Sequence, residues 1–215
     1  MKIINPPITL IFLGLQGSGK GTQAYELMKK YKFNYIEMGA LLRQIVKKKK
    51  GSKEVLKLVP QGKLVPTRVT AKLIKNEIRK ITQNNSLILD GFPRALSQAQ
   101  ALNKILKETD RDKNYSAVYF KISKKTGLKR LFNRWVCAKC GMIFSGSQAK
   151  CVRCGGKVEK RFDETPEIIK NRFKFVSKYI ENLRSYYKKK GKLVEIDAER
   201  KIQEIHRDVI KKLGL

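Results

Sequence analysis

The sequence predicts an α/β fold in which a five-stranded parallel sheet is flanked by helices, and three observations carry that prediction. Five short apolar or β-forming runs recur along the chain, separated by helix-length stretches of mixed polarity. The first run is continuously apolar rather than alternating, as expected of a strand covered on both faces. It leads straight into a glycine-rich loop and then a helical pattern. Because parallel strands need crossover connections, the alternation gives a doubly wound sheet whose functional edge lies beyond the carboxyl ends of the strands.

In chain order the predicted strands are residues 8–13, 33–37, 86–90, 117–121 and 192–196. Residues 8–13 could imitate the apolar stretch of a leader peptide, but Pro6 and Pro7 break the run and glycines follow it, so a buried strand is the better reading. Two stretches fit no strand-helix alternation and read as inserts. Residues from 39 to about 70 are helical in pattern, and residues 133–164 read as loop and hold all four cysteines. The division is therefore a core of residues 1–38, 66–132 and 165–215, a helical insert at 39–65 and a second insert at 133–164. A chain of 215 residues has room for one core carrying such inserts.

Lys and Arg number 49 against 18 Asp and Glu, a net charge of +31. A charge of that size draws polyanions across a Debye length of about 8–10 Å, which admits nucleotides, nucleic acid and anionic membrane surfaces alike. The runs Lys47 to Lys50 and Lys188 to Lys190 read as solvated helix ends, so nucleic acid is expected to bind non-specifically if at all. No apolar run approaches the roughly 20 residues of a membrane span, and a soluble, cytoplasmic, monomeric protein is the expectation.

Gly14-Leu15-Gln16-Gly17-Ser18-Gly19-Lys20-Gly21-Thr22 joins the first strand to a helix starting near Lys20. Glycines let backbone N–H groups converge on phosphate oxygens, the helix N-terminus adds partial positive charge, and Lys20 adds a full one. The strict phosphate-loop pattern has Ser or Thr directly after the lysine to hold Mg²⁺, whereas here Gly21 stands there and Thr22 follows. Mg²⁺ is then expected to be carried by nucleotide phosphates and water, with Asp90, at the end of a predicted strand, accepting from the metal's waters.

This form of the loop resembles the nucleoside monophosphate kinase family, and Asp90-Gly91-Phe92-Pro93-Arg94 resembles that family's second signature. The resemblance runs through nearly the whole chain. It implies a P-loop kinase fold with a monophosphate-binding insert and a lid, and Mg-dependent phosphoryl transfer from ATP to a monophosphate. Gln98 resembles the glutamine that reads adenine in the adenylate kinases of that family, which implies AMP as acceptor and two ADP as product. By the same resemblance Gly17, Ser18, Gly19, Lys20, Gly21, Thr22, Arg130, Arg134, Ile143, Phe144 and Arg200 would bind ATP. Met38, Gly39, Arg43, Lys63, Leu64, Val65, Gly91, Phe92, Pro93, Arg94, Gln98, Arg161 and Arg172 would bind AMP. Lys20, Arg94, Arg130, Arg161 and Arg172 would stabilise the transferring phosphoryl group, a task that suits charge-bearing forks because the transition state spreads charge over its equatorial oxygens. Met38 and Ala40 depart from the threonine and aspartate usual in adenylate kinases, which bears on base selectivity. Asp163 and Glu164 resemble an acidic pair in the lid and read as ion-pair partners at its hinge, and Trp135 reads as a lid-packing residue.

Cys137-x-x-Cys140 and Cys151-x-x-Cys154 are separated by ten residues, and each pair is followed by glycine. Two such knuckles supply four thiolates for a tetrahedral Zn²⁺, and a closed four-sulfur shell leaves no open position, so the metal would be structural. Iron satisfies the same geometry, and two disulfides are the alternative without metal. Two other classes compete with the kinase reading. A nucleic-acid-binding zinc ribbon would use the charge and the knuckles, but the sequence has no dense aromatic-basic platform. A phosphate-loop hydrolase would use water as acceptor, against which the Asp-Gly-Phe-Pro-Arg signature stands.

Overall fold

The computed structural model describes residues 1–161 and 164–215. Its centre is a parallel sheet of β1 (Thr9–Gly14), β2 (Phe33–Glu37), β3 (Ser86–Asp90), β4 (Tyr115–Lys121) and a last strand, β8 (Leu193–Asp197), in the order β2-β3-β1-β4-β8. Every residue of β1 and β3 is buried, as continuous apolar strands in the middle of a covered sheet must be. The α/β reading with five parallel strands is what the structure has. Its fourth strand begins two residues earlier than the sequence pattern suggests and its last is displaced by one, because pairing with β1 and β4 extends regular geometry past the apolar stretch.

Helices cover both faces. They are α1 (Lys20–Lys30), α4 (Thr67–Arg79), α5 (Leu96–Glu108), α6 (Lys124–Phe132), α7 (Pro166–Lys189) and α8 (Ile202–Leu213). The 24-residue α7 starts with Thr165 accepting from the Ile168 amide and with Pro166 in the first turn, where its missing N–H costs nothing. Ile169, Phe173, Val176, Ile180, Leu183 and Tyr187 recur at three- and four-residue spacing and form its buried stripe. Side chains of this kind contribute about 1.5–3 kcal/mol each on full burial. Arg111 is 5% exposed, and its guanidinium donates to the carbonyls of Ile81, Thr82 and Asn85, tying the end of the α4 connection to the sheet.

Between β2 and α4 lie α2 (Met38–Lys47) and α3 (Lys53–Leu58), which build a small core of their own from Val55, Val59 and Val65. Beyond α6, β5 (Arg134–Cys137), β6 (Ile143–Ser145) and β7 (Val158–Glu159) form a second, antiparallel sheet in the order β6-β5-β7. The sequence reading had only loop here. Strands of two to four residues leave too little periodicity to recognise. Trp135 sits opposite Phe144 across β5 and β6 and packs with the cysteines, so it is a packing residue of this sheet. Among the described residues, no helix is long and apolar enough to cross a membrane.

Candidate active site

β1, β2 and β3 all point their carboxyl ends toward one cleft of ≈2290 Å³ that runs between the main sheet and the small antiparallel one. That volume exceeds the roughly 300–1,000 Å³ of a typical single-ligand pocket and leaves room for two nucleotides. The glycine loop forms its floor. Gly17 and Gly19 have φ of 80° and 86°, which a side chain would resist, and a Cβ on Gly17 would lie 2.4 Å from the carbonyl oxygen of Gly127 in α6. Gly19 caps α1, whose first turn carries no acidic residue to occupy its free amides.

Lys20 begins α1 and turns back over the loop, donating to the carbonyls of Gly14 and Leu15 and to Ser18 Oγ at 3.0, 2.8 and 3.1 Å. Burial pushes its pKa down to about 8, against the opposing pull of Asp90. Asp90 ends β3 and is 8% exposed; burial raises its pKa, while Lys20 and the Tyr35 hydroxyl lower it. Gly21 carries no side chain where Ile143 of β6 descends: a Cβ there would meet Ile143 Cδ1 at 3.3 Å and the Tyr35 hydroxyl at 3.6 Å. The small sheet is thus seated against the glycine loop.

Arg94 follows the third strand. Its Nε donates to the Gly91 carbonyl at 3.0 Å, and burial followed by repulsion from Arg172 brings its pKa down to about 10, so it remains a cation at neutral pH. Gly91 has φ of 77°, and a Cβ on it would lie 3.4 Å from Arg94 Nη2 and 3.8 Å from the Gly39 amide, so this turn brings Arg94 against the start of α2. Arg43, one turn into α2, donates to Glu37 Oε1 at 2.9 Å. From the other side come Arg134 and Arg161, which share the buried carboxylate of Glu164, and Arg172, whose Cγ lies 3.0 Å from the Cβ position of Gly62. Asp163 lies outside the described residues.

Of the residues singled out from sequence, Gly17, Gly19, Lys20, Gly21, Thr22, Gly39, Arg43, Asp90, Gly91, Pro93, Arg94, Arg130, Arg134, Ile143, Phe144, Arg161, Arg172 and Arg200 line the cleft. Arg130 reaches it while donating to the Ala198 and Glu199 carbonyls, and Arg200 while pairing with Asp208 and Asp197. Others stand back from it. Ser18 is 1% exposed, and Met38 and Phe92 belong to the main core. Val65 is buried in the small valine core, and Lys63 and Leu64 lie beside it, with the Lys63 amide bonded to the Leu58 carbonyl. Gln98 is 1% exposed: its Oε1 accepts from the Arg94 amide and its Nε2 donates to Thr70 Oγ1, so it fixes the turn that aims Arg94. Sequence reasoning missed Tyr35 and Glu37. The signal was available, since they alternate at the carboxyl end of β2 and so face one side beside Asp90.

The four cysteine sulfurs lie within 4.8 Å of one another, with Cys137 to Cys154 at 3.5 Å and Cys140 to Cys151 at 3.6 Å. Tetrahedral Zn–S bonds of about 2.3 Å require S···S separations near 3.8 Å, so the donor set fits a single metal ion. All four cysteines are free in this structure, the state in which they can serve as metal ligands. The Cys140 amide donates to Cys137 Sγ and, with further N–H groups, holds that thiol down to about 6, favouring the thiolate a metal binds.

The comparisons agree with this geometry. Residues 12–192 match the family model described as adenylate kinase. An adenylate kinase of Fervidobacterium nodosum is 33% identical over 214 residues, covering 96% of this chain and 98% of the relative. One from Staphylococcus epidermidis is 34% identical over 210 residues, covering 94% and 97%, and one from Staphylococcus aureus is 33% identical with the same coverage. With an arginine-ringed cleft over a glycine loop, and with relatives aligned along almost its whole length, this chain belongs to the adenylate kinase family of phosphotransferases.

Proposed function

We propose that this chain catalyses reversible, Mg-dependent transfer of the ATP γ-phosphoryl group to AMP, giving two ADP and so balancing adenine nucleotides in the cytoplasm. The observation that carries the reading is the convergence of Lys20, Arg94, Arg134, Arg161 and Arg172 on one cleft large enough for two nucleotides. ATP would lie with its phosphates on the amides of residues 17–22. Lys20 would exchange its three loop acceptors for phosphate oxygens, a move that restores the charge burial suppresses. Mg²⁺, when bound with ATP, neutralises charge on the phosphates, and the Asp90 carboxylate beside Gly21 suits its waters.

The monophosphate would sit under residues 39–65, its phosphate against Arg43 and Arg94. It is ionised at neutral pH, so no general base is needed. Residues 133–164 would act as a lid that excludes water, with Arg161 and Arg172 closing on both phosphates and Zn²⁺ fixing the lid's internal shape. The acceptor base is the finer part of the proposal. Gln98 faces inward and Met38 is buried, so base selection would depend on rearrangement when the nucleotide binds.

The test is a coupled assay with MgATP and with AMP, CMP, UMP and GMP at equal concentration. Preference for AMP supports the whole proposal. Preference for another monophosphate keeps the transfer chemistry and moves the base assignment, while ATP hydrolysis independent of any monophosphate overturns it.

A further inference from the structure

Glu37 ends β2 and lines the cleft, one residue before α2. Its Oε1 accepts from Arg43 Nη2 at 2.9 Å, with side chains 33% and 20% exposed respectively. The pair closes across Gly39: a Cβ there would lie 3.1 Å from Glu37 Oε1 and 3.0 Å from Arg43 Nη1. Glu37 also lies close enough to Lys20, Asp90 and Arg94 to shift the ionisation of each. A carboxylate therefore stands among the cations that the acceptor phosphate needs, occupying one of the two arginines assigned to it.

We propose that Glu37 is an internal competitor for the acceptor phosphate, holding Arg43 in the empty enzyme and setting the concentration of monophosphate needed to displace it. The inference rests on the reading of Arg43 and Arg94 as the acceptor-phosphate arginines. A carboxylate and a phosphate both take a guanidinium through two oxygens, so they compete for the same fork. A bound phosphate also faces repulsion from Glu37 unless that side chain swings away, which its partial exposure allows. Affinity for the phosphate is thereby lowered, and the empty cleft is spared an uncompensated cluster of positive charge. The effect belongs to the phosphate, so it is independent of the base.

Glu37→Gln removes the charge and keeps a polar side chain of equal size; Glu37→Ser removes both charge and reach. KM for AMP at saturating MgATP and the inhibition constant of adenosine, which lacks the phosphate, are measured for the parent chain and both variants. Calorimetry of AMP binding without ATP accompanies them. The expected result is a three- to ten-fold fall in KM and in the AMP dissociation constant for both variants, with adenosine affinity moving less than twofold. An unchanged or raised KM for AMP in both variants, while the parent chain transfers to AMP, overturns this inference and leaves the proposed function intact. A fall shared equally by adenosine also overturns it, because the effect would then lie in the shape of the pocket. If the parent chain transfers to no monophosphate, the functional reading fails and carries this inference with it.

Discussion

The Tyr35 hydroxyl donates a 3.0 Å hydrogen bond to Asp90 Oδ2, joining the carboxyl ends of two adjacent parallel strands. That bond favours the ionised carboxylate, while burial opposes it. In Tyr35→Phe the Asp90 pKa rises, so protonation sets in at higher pH and the acid limb of kcat/KM for MgATP moves upward. A loss of about tenfold at neutral pH is expected, in keeping with one hydrogen bond to a charged group at about 1.5 kcal/mol. A pH–rate profile checks this, and an unmoved acid limb would show that Asp90 takes no part in the titration.

Lys20 gives the opposite limb. Its pKa near 8 belongs to the empty enzyme, where burial disfavours the cation. Raising the pH through 8 discharges it, so kcat/KM for ATP, which reports free enzyme, should fall about tenfold per unit above that point. Bound phosphates restore the proton, and kcat should stay level over the same range. Lys20→Met should cost about 10²–10³ in kcat, as loss of a preorganised charge donor does elsewhere.

Gly17 and Gly19 share a left-handed backbone but not their surroundings. Gly17→Ala drives a methyl into the Gly127 carbonyl, whereas nothing lies within 4 Å of a Cβ at Gly19. Gly17→Ala should destabilise the chain by about 2–4 kcal/mol, and Gly19→Ala by about 1 kcal/mol from backbone strain alone. In thermal melts the first should lower Tm by about 5–15 °C and the second by a few degrees. Equal losses would mean that the contact with Gly127 is relieved cheaply.

The cysteine cluster predicts a stoichiometry. Elemental analysis should find one metal ion, expected to be zinc, per chain, and Cys140→Ser or exhaustive chelation should remove it. Loss of metal should lower Tm by about 5–10 °C, corresponding to about 2–3 kcal/mol, since the buried residues Cys137, Phe144, Cys151 and Val158 form too small a cluster to hold three short strands. A chain with no bound metal and an unchanged Tm would leave the knuckles without that role.

The fold was legible in the sequence where physics is local. A strand buried on both faces must be apolar throughout, and a loop that wraps phosphate must be rich in glycine, so the runs 8–13 and 14–22 declared themselves, the strand lying one residue further on at Thr9–Gly14. The 137–140 and 151–154 spacing did the same for the metal cluster. What stayed hidden depended on partners distant in sequence. Tyr35 and Glu37 matter because β2 lies beside β3, and Gln98 turns inward because Thr70 and the Arg94 amide are there to receive it. The short strands β5, β6 and β7 owe their pairing to one another rather than to any propensity of their own.

The strand order β2-β3-β1-β4-β8 also bears on how the chain is made. β1 leaves the ribosome before the strands it pairs with, since its neighbours in the finished sheet are β3 and β4, which end at Asp90 and Lys121. Its apolar edges therefore wait, unpaired, until Asp90 has been added on one side and Lys121 on the other. Such pairings of distant segments are slow and leave nascent chains open to sticking. Here the excess of Lys and Arg over acidic residues makes neighbouring nascent chains repel one another during that interval.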